Sequence, residues 1–252
     1  MALLAIRYSL LARLHSMDGP MTKTALIVGT GSGISAAFAR ALAADGYRVA
    51  LAARKLEKLA GLAGEIGAVT ISADATQADS VAQLFAEVDR QLGPLDVALY
   101  NASYRARGPF LDLVPQEVAR SMEVSAFGAF LVAQQAARRM VARGQGVILF
   151  TGASASVKGY AQSAPFAMGK FALRGLAQAM ARELGPKGIH VAHFVIDGGV
   201  RSPERGRVEN AGDTPDSLLD PAAIAETYMA VLKQPRSAWS LEVELRPWVE
   251  RF

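Results

Sequence analysis

The sequence predicts one α/β domain, a doubly wound parallel sheet of about seven strands with helices on both faces. Short β-branched or apolar runs alternate with longer helical patterns from Thr24 onward, and glycine, proline and aspartate punctuate the junctions. No repeat of solenoid length recurs. With 252 residues, 51% of them hydrophobic, the chain can bury one large core and needs no second domain.

The predicted strands are 25–28, 48–52, 69–72, 95–99, 147–150 and 190–196, with 241–245 closing an edge. The first helix follows a glycine-rich turn and stops at Asp45-Gly46; the third ends at Gly93-Pro94. Another starts at Ser163, a candidate N-cap, with Pro165 in the first turn, where a missing N–H costs nothing. Phe166, Lys170, Leu173, Ala177 and Met180 share its stripe, and Gly185-Pro186 ends it. Asp220-Pro221 opens a late helix towards Leu232.

Residues 117–140 read as one long helix with apolar or small side chains on several faces, among them Val124, Ala126, Phe127 and Phe130. Packing on one sheet face would not require that. A helix also packed on a second copy, as dimer or tetramer, and a helix deep in the core both account for it. Residues 198–219 are rich in glycine, proline and charge and read as a loop beyond a strand's carboxyl end. Substrate lid and plain connection are both open readings there.

The turn between the first strand and first helix is Gly29-Thr30-Gly31-Ser32-Gly33-Ile34-Ser35. Glycines at Gly29, Gly31 and Gly33 let backbone amides, with those of Ser32 and Ile34, approach a diphosphate at a helix N-terminus. In an alternating α/β chain this predicts a Rossmann-type, dinucleotide-binding domain over 22–252. After the second strand, Ala52-Ala53-Arg54-Lys55 offers no carboxylate for the free ribose hydroxyls of NAD(H). Arg54 instead suits a 2′-phosphate, with Lys55 adding charge, so NADP(H) is preferred and NAD(H) is the alternative. Asp74 is placed to accept from an adenine amino group or to cap near Thr76.

Together these residues resemble the short-chain dehydrogenase/reductase family over roughly Thr22 to Leu245. The opening turn is similar to the family's Gly-x-x-x-Gly-Ile-Gly, with Ser35 for the last glycine. Asn101-Ala102-Ser103 is similar to its Asn-Ala-Gly, which faces the cofactor, and Phe166-Ala167-Met168-Gly169-Lys170 to its Tyr-x-x-x-Lys. The resemblance implies an oxidoreductase acting on a carbonyl or alcohol. Lys170 would hold the nicotinamide ribose, and Phe166 replaces the tyrosine that exchanges the proton. The family's substrate-binding serine falls at Ala153 by strict spacing and at Ser154 with a one-residue shift. Its helix asparagine falls at Ser125, and Asp197-Gly198 stands where it has a Pro-Gly turn past the nicotinamide.

Tyr160 and Tyr104 follow strands at their carboxyl ends and are candidate substitute acids, or else pocket wall. His190 and His193 read as strand residues. The degenerate tetrad leaves two expectations: an NADP(H)-dependent oxidoreductase of a small-molecule substrate with weak or atypical activity, or a non-catalytic NADP(H)-binding sensor or assembly subunit.

Other classes find little support. The chain has no cysteine, which excludes disulfides and thiolate metal sites and fits a cytoplasmic protein; no metal motif is present. A net charge of +4 is interspersed with acids, and without a recognition module it does not indicate nucleic acid. Residues 1–21 form an apolar, arginine-containing extension too interrupted for a membrane span. A targeting role and a non-functional extension both stand.

Overall fold

The computed structural model describes residues 22–250; the extension over 1–21 lies outside them. Seven strands form one sheet in the order β3-β2-β1-β4-β5-β6-β7. They are β1 (Thr24–Val28), β2 (Arg48–Ala53), β3 (Val69–Ser72), β4 (Val97–Tyr100), β5 (Gly146–Thr151), β6 (Ile189–Ile196) and β7 (Glu242–Leu245). Every neighbouring pair is parallel.

Between the strands run α1 (Ile34–Ala44), α2 (Ala60–Ile66), α3 (Ala78–Leu92), α4 (Pro115–Met122), α5 (Gly128–Arg143), α6 (Ala164–Leu184) and α7 (Pro221–Leu232). β1 shows why both faces need cover. Leu26 and Val28 join Phe85 of α3, Met140 of α5 and Leu173 of α6. Ala25 and Ile27 join Phe38 of α1 and Tyr228 of α7 on the other side. The two-residue period of a strand thus feeds two cores.

Three details differ from the sequence reading. β4 starts at Val97, and Asp96 just before it ties the start of the strand to both neighbours: its amide donates to the Thr24 carbonyl at 3.1 Å, its carboxylate accepts from the Thr24 amide at 2.9 Å and its carbonyl from the Val147 amide at 2.9 Å. The long helix over 117–140 is two helices joined by a π-helical turn at Glu123–Phe127. There the buried Tyr100 hydroxyl donates to the Val124 carbonyl at 2.5 Å, and a Cβ on Gly128 would lie 2.6 Å from the same hydroxyl oxygen. A side chain inserted against the ladder, with a glycine to admit it, accounts for the widened turn. Third, Ser163 stands at the N-cap of α6, but its hydroxyl makes no capping bond; its carbonyl accepts from Ala167 instead.

The loop over 198–219 is pinned rather than loose at its base. Val200 bridges Leu219, and Arg201 pairs with Asp220 and Glu209 at 2.9 and 3.3 Å. No helix among the described residues is long and apolar enough to cross a membrane.

Candidate active site

The chain runs β1, β2, β3 outward, then returns to place β4 on the other side of β1. At this reversal, beyond the strands' carboxyl ends, a cavity of about 930 Å³ opens, where a doubly wound sheet holds ligands.

One wall is the glycine-rich turn. Gly29 has φ +84°, and a Cβ there would sit 2.3 Å from the backbone nitrogen of Ala102, so only glycine lets the ends of β1 and β4 meet. The amides of Gly29 and Thr30 are spent on the Ala52 carbonyl at 3.0 and 3.3 Å. Those of Gly31, Ser32 and Gly33 have no partner among the described residues. α1 begins at Ile34 with Gly33 as an N-cap that supplies no side-chain acceptor. Free amides at the start of an eleven-residue helix, facing a cavity, fit a diphosphate.

Ser35 also has a structural reason. Its buried hydroxyl donates to the Gly29 carbonyl at 3.2 Å and accepts from the Asn101 side-chain amide at 2.6 Å. That bridge locks Asn101, and with it Ala102, against the turn. Arg54, Lys55 and Lys58 line the end of the cavity beyond β2, without an acidic partner among the described residues. Asp74 lines it too. Its Oδ1 accepts from the Thr76 amide and hydroxyl at 3.0 and 2.8 Å; the amide bond is the chief reason its carboxyl is held below the usual carboxylate range.

At the opposite end lie the predicted catalytic positions. Phe166, 5% exposed, forms wall, while Lys170, 3% exposed, lies behind it with its ammonium 5.8 Å from the ring centre. Lys170 Nζ donates to the Thr151 carbonyl at 2.7 Å. Burial first, then the nearby Arg105 charge, brings its pKa down to about 7.

The other candidates are arranged around this pair, not all within it. Ser125 lies buried in the π turn, accepts from the Tyr104 amide at 3.4 Å and abuts Gly169, on which a Cβ would come 2.8 Å from the Ser125 Cβ. A side chain on Gly169 has no room there. Tyr104 and Tyr160 do not line the cavity: the Tyr104 hydroxyl donates to Glu117, and Tyr160 is half exposed beneath the Lys158 ammonium. Ser154 opens a 3₁₀ turn beside Asp197. Asp197 is 2% exposed, and Lys158 reaches its Oδ2 at 3.2 Å, while Oδ1 has no hydrogen-bond partner among the described residues. Burial works to raise this carboxyl's pKa, but Ser154 and Lys158 outweigh it and leave the group lowered. Gly198, at φ +152°, is pressed on Pro247, where a Cβ would lie 2.6 Å away. His190 and His193 are buried in β6, as the strand pattern predicts.

Arg105 is a residue the sequence reading missed. Its guanidinium carbon lies 4.1 Å from the centre of the Phe166 ring, at the cavity mouth. The only sequence signal was the density of arginines after Asn101, which does not reveal the direction of a side chain. Among the described residues no cluster of histidine or carboxylate is suited to a metal ion.

Fold and site together define an α/β protein built to hold a dinucleotide at the β1–β4 crossover. The short chain dehydrogenase family matches residues 23–211, and the chain belongs to that family. It is 33% identical over 207 residues to a short-chain dehydrogenase/reductase of Armillaria gallica, covering 79% of this chain and 78% of the relative. Among solved structures it resembles a short-chain dehydrogenase from Rhodopseudomonas palustris, with 37% identity, TM-score 0.77, and coverage of 91% of this chain and 100% of the other. It also resembles an alcohol dehydrogenase from Thermococcus sibiricus complexed with 5-hydroxy-NADP, with 27% identity, TM-score 0.81, and coverage of 91% and 98%.

Proposed function

We propose that the protein is an NADP(H)-dependent oxidoreductase of a small carbonyl or alcohol substrate, with Phe166 standing where the family places its proton-exchanging tyrosine. The observation that carries this is the continuity of one cavity. Unspent amides of Gly31, Ser32 and Gly33 form its middle, Arg54 and Lys55 one end, and Phe166 the other. Such a span suits a dinucleotide laid across the sheet, and the similar alcohol dehydrogenase from Thermococcus sibiricus is complexed with a modified NADP.

The bound nicotinamide supplies hydride chemistry. Arg54 and Lys55 take the 2′-phosphate and Asp74 faces the adenine end. Lys170, with N–H donors beyond the one given to Thr151, is the residue that would take the ribose, and since it does not itself line the cavity the Phe166 ring must shift to admit it. Phe166 has no proton to exchange, so the proton comes from water admitted through the open mouth near Arg105. A phenol in this role contributes roughly 10²–10⁴-fold, so turnover is slow. The site of action is cytoplasmic.

A second reading, NADP(H) binding without turnover, is favoured by one observation: neither Tyr104 nor Tyr160 lines the cavity to replace the missing phenol. NADPH consumption across a panel of aldehydes and ketones, measured beside NADPH affinity, separates the two. Tight binding with turnover supports the enzyme; tight binding without turnover on any member supports the sensor.

A further inference from the structure

Most cations of the cavity fall into two groups; Arg201 and Arg205 of the 198–219 loop line it as well, Arg201 paired with Asp220 and Glu209. Arg54, Lys55 and Lys58 gather beyond β2, at the cofactor's phosphate end. Arg105 and Arg207 line the other end, by Phe166, and Arg107 lies close enough to act on Arg105 electrostatically. Burial first, then the charges of Arg107 and Arg207, lowers the Arg105 pKa, so these like charges are felt by one another. No acidic side chain among the described residues pairs with any of the three, whereas Arg40, Arg139, Arg174 and Arg201 all have carboxylate partners. Like charges converging unpaired at a cleft are a cost that a bound anion would relieve.

The stack on Phe166 fixes where that anion would sit. The guanidinium carbon lies 4.1 Å from the ring centre, and none of its N–H groups has a hydrogen-bond partner among the described residues, so they are free to form a paired fork. The cofactor's phosphates are already matched by the glycine turn and by Arg54, at the far end of the cavity from Phe166.

We propose that the substrate carries an anionic group, a carboxylate or a phosphate ester, next to its reacting carbon, and that Arg105 binds that group. This rests on the cofactor reading above, which assigns the Phe166 end of the cavity to substrate.

The test uses calorimetry on the full chain saturated with NADP⁺, so that ketones bind without being reduced. Two pairs of probes are compared: phenylpyruvate with its methyl ester, and dihydroxyacetone phosphate with dihydroxyacetone. At least one anion should bind about 10- to 100-fold more tightly than its neutral twin. Whichever pair shows this identifies carboxylate or phosphate as the group. Arg105→Gln should erase the preference while a native circular-dichroism spectrum and retained NADPH binding report that the variant is folded. Equal affinities within both pairs, or a preference that survives Arg105→Gln, overturns the inference alone. Failure of the wild-type chain to bind NADPH overturns the cofactor reading and this inference with it.

Discussion

Lys170 donates its ammonium proton to the Thr151 carbonyl across 2.7 Å, from a position almost closed to solvent. This bond joins α6 to the end of β5, holding the Phe166-bearing helix at the cavity. In the unfolded chain the amine keeps its proton to about pH 10.5, whereas burial brings the folded value to about 7. Between those values the unfolded state binds the extra proton, so this group's contribution to stability rises with pH across that window. Urea unfolding of wild type and Lys170→Met at pH 6 and pH 9 measures it. Relative to the variant, wild type should gain stability at the higher pH; a constant difference would mean the amine titrates normally.

Phe166→Tyr places a phenol at the cavity wall, on the helical face shared with Lys170. Reductase turnover should rise, by up to the ~10²–10⁴-fold typical of a general acid, with NADPH affinity little changed. Steady-state assays on the best substrate of a carbonyl panel would check this. No gain with intact cofactor binding would show that the substrate oxygen does not approach this ring.

The fold was legible because its signals are local. Period-two apolar runs, glycine stops and the turn at Gly29 each depend on a few neighbouring residues, and all seven strands fall within two residues of their predicted bounds. The π turn was hidden because its cause, the Tyr100 hydroxyl, comes from a strand 24 residues away in sequence. Likewise, Phe166 and Lys170 could be placed on one helix face by spacing, but not the Lys170–Thr151 bond or the Arg105 stack. Both need the distance between elements. Tyr104 was plausible as an acid from its strand-end position, yet Glu117 on α4 takes up its hydroxyl.

Gly29→Ala combines a left-handed backbone with a Cβ overlapping the Ala102 backbone. A loss of ~3 kcal/mol in unfolding free energy is expected from urea titration, with NADPH binding weakened in parallel because the turn must shift. Wild-type stability in this variant would mean that β1 and β4 can separate at their ends without cost.

Phe127 and Phe130 stack on each other with ring centres 6.2 Å apart while remaining 49% and 40% exposed. A second copy of the chain is the proposed cover for this face of the α4–α5 unit. Light scattering should find a dimer or tetramer, and Phe130→Glu should shift it to monomer, since an apolar interface gives a buried carboxylate no partner. A monomeric wild type would remove the proposal.

Titration of the full-length, folded protein with NADPH and with NADH tests the central claim most directly. Saturable binding at one NADPH per chain is expected, with Arg54→Gln weakening NADPH by about tenfold or more and leaving NADH unaffected. Absence of binding heat for both nucleotides would contradict the account at its foundation.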